Sequence, residues 1–203
     1  GKKVTKLCEP GNGQTIYVVA NASSALFAGV ANLAEFQSRL ALLSETTKSA
    51  GTGDATDVQK ASNLPMLGSA TGKDFTAGGE LEVEIALSRL VARVSISSIK
   101  TAFDAAGQFK NATFKVDAVY LKNANSSVNM KKEGSVPING GHEGSAVTKY
   151  LYETVASHTA NTELTTPYYF YTFPNASGDS PTRLIIKGTF DADGSGAAST
   201  AAT

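Results

Sequence analysis

His142 and His158 are the chain's whole supply of imidazole. A histidine base needs a nucleophile or a bound proton donor within hydrogen-bond reach, and neither residue stands in a local motif that supplies one. No catalytic residue is assigned, and the chain is not expected to be an enzyme. Glu80, Glu82 and Glu84 form a second acidic group. Alternate positions of a strand put all three on one face, where repulsion favours solvent or cross-strand lysines over an acid–base pair. Asp191, Asp193 and Ser195 occupy positions one, three and five of a calcium-loop pattern, yet the place of the bidentate Glu at position twelve is held by Ala202. The segment therefore reads as a turn, and no metal-ligating or cofactor-binding residue is assigned. Gly11-Asn-Gly13 comes before a strand and not between a strand and a helix, so it is not a phosphate loop.

Cys8 is the single cysteine and cannot close an intramolecular disulfide. It is expected to be a partly buried structural thiol, and the fold must be held by its core. Asn-X-Ser/Thr triplets begin at Asn21, Asn111, Asn125 and Asn175. In a chain rich in Asn, Ser and Thr they are read as chance occurrences and not as glycan acceptors.

These residues must be carried by a scaffold, and composition bounds its class. The 203 residues allow one large or two small domains, and 41% hydrophobic content is enough for a core. Eighteen basic residues balance eighteen acidic ones, which removes any global attraction to nucleic acid or anionic membrane. Charged residues make up 18%, below the ~25% usual in soluble domains. No run of ~20 apolar residues that would cross a membrane as a helix is present, nor a signal peptide; if the protein is exported, this chain is a processed form.

The elements read as strand, turn, strand. Residues 14–20 alternate as a short strand. Asn21 or Ser23 then caps a predicted helix in which Leu26, Val30, Leu33, Phe36, Leu40 and Leu43 recur every three or four residues and face a sheet. Residues 44–63 are polar and predict a long exposed loop. From residue 79 the pattern alternates with Leu81, Val83, Ile85 and Leu87 on odd positions, then with Leu90, Ala92, Val94 and Ile96 on even ones. One register cannot do both, so a bulge or a crossing between strands falls at Ser88-Arg89. Arg89 and Arg93 share the face opposite the apolar row and are expected to be paired or solvated. Phe114, Val116, Ala118 and Tyr120 form a further alternating strand, with Val119 and Leu121 on its second face. Residues 168–173, rich in Tyr and Phe, must find cover on both faces, and residues 183–190 are one more strand.

Five stretches carry a family resemblance. Ser88-Arg-Leu-Val-Ala-Arg-Val94, followed by Ile99-Lys100, resembles the opening of the second domain of Bacteroidales fimbrillins, the subunits of surface fimbriae. Residues 8–21, Leu64-Pro-Met-Leu-Gly68, residues 114–124 and Tyr168-Tyr-Phe-Tyr-Thr-Phe-Pro-Asn175 are similar to family segments in the same order. The resemblance implies a mainly β fold of two tandem β-sandwich (transthyretin-like) domains, residues 1–88 with one helix and residues 89–203, each short of terminal strands. It also implies an exported lipoprotein precursor, trimmed by a protease and joined to other fimbrial subunits by donor-strand exchange at the cell surface and outer membrane, supporting adhesion. The alternative is a tip adhesin or glycan-binding module of the same superfamily with host or bacterial surface ligands. Exposed Tyr168, Tyr169 and Tyr171 would favour the second reading, and buried ones the first.

Overall fold

The computed structural model describes residues 3–42, 64–125, 127–132, 137–138 and 151–196. The predicted loop at 44–63, Leu43, His142 and Ala202 lie outside the described residues.

The alternating pattern at 14–20 belongs to a longer strand, β1 (Gly11–Ala20), and a short 3₁₀ turn (Ser24–Phe27), α1 (Leu33–Ser38) and β2 (Leu40–Leu42) follow it. The single predicted helix over this stretch is thus corrected to two separate turns of helix and a strand. The cause is local. Ser23 Oγ accepts the Ala25 N–H and starts the first turn, which ends before Gly29 at φ +70°. Asn32 then starts a second: its Oδ1 accepts the Glu35 N–H at 3.0 Å while Glu35 Oε2 accepts the Ala31 N–H at 2.8 Å. This reciprocal cap sets a new helical phase and splits the apolar stripe. Leu33 and Leu40 are consequently exposed (50% and 42%), whereas Leu26 and Phe36 of the stripe pack against the core, the Phe36 ring 5.0 Å from Tyr17 and 5.6 Å from Phe27.

β1 pairs antiparallel with β3 (Met66–Phe75), which also pairs with β4 (Ser88–Arg89). The alternation at 81–87 predicts a strand, and this is corrected: residues 80–87 form no ladder, with Leu81 and Leu87 exposed, but they pass close to β3. A side chain at Gly68 would collide with the Ala86 carbonyl oxygen, so glycine is required there for contact and not for a turn. Glu80, Glu82 and Glu84 on this segment are exposed.

The change of phase marks a crossing between sheets. β4 ends on β3, whereas β5 (Ala92–Ile96) pairs with β11 (Tyr168–Thr172). Leu90 and Val91, the residues of the crossing, are both buried. Arg89 and Arg93 stay exposed, and the Arg93 guanidinium lies 4.5 Å over the Tyr169 ring.

In a further sheet β6 (Thr113–Lys122) lies between β10 (Tyr152–Thr154) and β12 (Arg183–Asp191). Two short pairs complete the ladders: β7 (Ala124–Asn125) with β9 (Pro137–Ile138), and β2 with β8 (Ser127–Asn129). The β2–β8 pair joins the early part of the chain to the later part. A single apolar cluster runs from Ala41, Leu64 and Leu67 through Leu90 and Val91 to Val116, Val119, Leu121, Leu151, Phe170 and Phe173. Every residue of β11 is buried, including Tyr168, Tyr169 and Tyr171, so both of its faces are covered.

Candidate assembly surface

The surface is built on β6 and β12. Lys187 opposes Ala118 but Gly188 opposes Val116, so Asp117 is an extra residue on β6. A bulge of this kind switches which parity faces the core. The bulge changes the grouping of the alternating row: Phe114, Val116, Val119 and Leu121 share the face that joins the core cluster, while Ala118, on the second face, is buried as well. Asp117 is held in the bulge by Thr189 Oγ1 donating to its carboxylate at 2.7 Å.

Directly opposed residues point to the same face. The inward row of β12 is thus Phe190, Gly188, Ile186 and Leu184, opposite Phe114, Val116, Val119 and Leu121. Phe190 is covered by the rings of Phe103 and Phe109, at 6.0 and 5.7 Å. Gly188 is covered by the Phe114 ring, which a side chain there would strike. Beyond this point the cover stops. Ile186 and Leu184 are 40% and 42% exposed although they share a face with fully buried partners. Among the described residues β12 is paired on one side only. An apolar row at a free sheet edge is a template for another strand.

The other flank of β6 is closed by side chains. Past β10, His158 Nδ1 accepts the Val116 N–H at 2.9 Å and its Nε2 lies 3.0 Å from the Thr162 carbonyl, which assigns the Nε2–H tautomer. Asn161, at φ +61°, accepts the Phe114 N–H at 3.0 Å and donates to the Ala112 carbonyl at 2.9 Å. His158 is thus a strand cap with both ring nitrogens occupied.

Asp191 and three of the triplet asparagines are likewise engaged within the fold. Asp191 is buried and turned into its own loop, where its carboxylate accepts the N–H groups of Asp193, Gly194 and Gly196 at 3.2, 3.1 and 2.7 Å. Hydrogen bonds from the Ser195 side chain and N–H hold the exposed Asp193 carboxyl below its ordinary value. Asn175 donates to the carbonyls of Asn123 and Ser180, which ties the end of the aromatic run to the start of β12. Asn125 is buried and bonded to the Pro174 carbonyl, and Asn21 donates to the Leu64 carbonyl at 3.0 Å, so three of the four triplet amides are engaged within the fold. Cys8 is exposed, not partly buried: residues 3–10 form no ladder and rest on no core element. Burial raises the Tyr168 phenol above its ordinary value, with the Glu153 carboxylate adding to the effect.

Residues 1–89 match the family model described as major fimbrial subunit protein (FimA), and residues 90–202 match that of the fimbrium tip subunit Fim1C-like, C-terminal domain. No curated protein matches the chain. Among solved structures the chain is similar to a proposed cell adhesion protein from Parabacteroides distasonis, with TM-score 0.63 and 22% identity over 87% of this chain and 53% of that one. A second, from Bacteroides eggerthii, has TM-score 0.55 and 22% identity over 89% of this chain and 58% of that one. The chain thus spans little more than half the length of either structure, and at this identity the likeness is one of fold.

Proposed function

The chain belongs to the Fim1C-like fimbrium tip subunit family through its C-terminal domain, and from that premise we propose that it is a structural subunit of a bacterial cell-surface fimbria that assembles by strand exchange. The observation that carries the proposal is the exposed apolar row Leu184 and Ile186 on β12, a strand that pairs on one side only among the described residues. A neighbouring subunit's strand laid there would take up the unpaired backbone groups and cover both side chains, the β-addition mode of recognition. Completing their burial contributes about 1 kcal/mol each, in proportion to the ~1.5–3 kcal/mol of a full aliphatic burial, before ladder hydrogen bonds are added.

Division at residue 88 into a first domain (1–88) and a second (89–203) belongs to the same proposal. So do export as a lipoprotein precursor, proteolytic trimming, outer-membrane attachment, a homopolymer or anchor and tip subunits as partners, and support of adhesion. The match to a tip-subunit model favours a place at the fibre tip, while the FimA match over residues 1–89 is what a shaft subunit would also carry. Tyr168, Tyr169 and Tyr171 do not form a glycan platform, because all three are buried.

The test is peptide complementation. A synthetic peptide of a neighbour's terminal strand, added to the trimmed subunit, is expected to raise its melting temperature by several degrees and to block fibre growth. A trimmed subunit that stays monomeric and takes up no peptide would overturn strand exchange.

A further inference from the structure

A second feature lies away from β12, where the first sheet meets the turn that follows β8. Tyr17 opposes Ser69 and Leu67 opposes Ser88, so these side chains share one face. That face looks onto Met130, Lys131 and Lys132 across a cleft of about 410 Å³, within the ~300–1,000 Å³ of small-ligand sites. The turn is fixed from both sides. Met130 N–H donates to the Gln37 carbonyl at 3.1 Å, and Asn129 Oδ1 accepts the Lys131 N–H at 3.0 Å.

Lys132 is the unusual member. Its backbone is left-handed, φ +68°, a conformation that a lysine adopts at a cost and that a glycine would take freely. The strained turn carries its ammonium back to Ser88 Oγ at 2.8 Å, and Ser88 in turn donates to the Leu67 carbonyl at 3.3 Å. Among the described residues no lining residue is acidic, and no ion pair involves Lys131 or Lys132. The cleft therefore combines positive charge, hydroxyl and amide groups from Tyr17, Gln37, Ser69 and Ser88, and an apolar floor of Leu67 and Met130.

We propose that this cleft binds a carboxylate-bearing sugar residue. The Lys132 ammonium answers the carboxylate. The rim of hydroxyl and amide groups answers the sugar hydroxyls, and the apolar floor takes the C–H face of the ring. None of the lining residues belongs to β12, so the inference does not rest on strand exchange.

The test is an amide NMR titration of the 203-residue chain with glucuronic acid and N-acetylneuraminic acid, using glucose and acetate as controls. Saturable shifts are expected at Tyr17, Gln37, Ser69 and Ser88 with the acidic sugars. Affinity should be about ten-fold or more lower for glucose and for acetate, the scale of one charge-assisted hydrogen bond, and should fall at about 0.5 M salt. Lys132→Gly removes the ammonium while suiting the backbone, and should lose about ten-fold. Ser69→Phe, at an exposed position, fills the cleft and should abolish the shifts. Absence of saturable shifts overturns the proposal. So does equal binding of glucose, equal binding of acetate, or affinity unchanged in Lys132→Gly.

Discussion

At the scale of single residues, His158 and Asp191 look chemical in the sequence and are taken up by backbone groups. His158 is the clearest case. Its Nδ1 accepts the N–H of Val116, a fully buried residue next to the β6 bulge, where the ladder with β10 has ended. Removing the ring orphans that N–H, so His158→Ala should cost about 1–3 kcal/mol in urea unfolding. A loss under about 0.3 kcal/mol would mean that water replaces the ring without penalty. Tyr168 gives a pH signature. The unfolded phenol ionises near pH 10, and burial delays ionisation in the folded chain. Between the two values the unfolded state binds fewer protons, so stability falls as pH rises. The contribution is complete below about pH 10 and is lost as pH climbs through the folded value. Tyr168→Phe should flatten that alkaline decline, and an unchanged profile would assign the decline to other groups.

At the scale of elements, the stretch from Ser23 to Leu42 shows caps overriding periodicity. Leu33 occupies a core position of the predicted stripe but is half exposed on α1, whereas Phe36 sits between Tyr17 and Phe27. Leu33→Ala should therefore change stability by no more than about 0.5 kcal/mol, as is usual for surface substitutions. Phe36→Ala should cost about 1.5–3 kcal/mol for the lost aromatic burial. Equal losses at the two sites, measured by chemical denaturation, would restore the single helix. The β6 bulge is the second such element. It brings Val119 and Leu121 onto the face of Val116 and Phe114, opposite Ile186 and Leu184 of the partner strand.

For the whole molecule, the exposed row on β12 and the shared core point to different measurements. Ile186→Glu places a charge on a surface residue, so the isolated chain should keep its melting temperature within a few degrees while strand-peptide uptake is lost. Uptake equal to the unsubstituted chain would move the docking strand elsewhere. The apolar cluster reaches from Ala41 and Leu67 to Phe173, and the β2–β8 ladder ties the early and late parts together. Thermal unfolding is accordingly expected as one cooperative transition, read by calorimetry. Two resolved transitions would show that the parts on either side of residue 88 are stable independently.

What the sequence by itself determined is whatever depends on neighbours a few residues apart. Alternation at 14–20 and 183–190, the doubly apolar run at 168–173 and the phase change at Ser88-Arg89 each reflect the two-residue period of a strand, and the structure carries β1, β12, β11 and the crossing there. Tertiary structure decided the rest. Val119 joins the apolar cluster on the face it shares with Ile186, because the bulge at Asp117 is set by pairing with β12, some seventy residues away. Leu33 is exposed because Asn32 and Glu35 restart the helix, and Cys8 is exposed because no element packs over residues 3–10. The row of Leu184 and Ile186 looks in sequence like any buried strand face. Only the arrangement of the other strands shows that nothing among the described residues covers it, because a side chain's burial is a property of what lies across from it and not of its own periodicity.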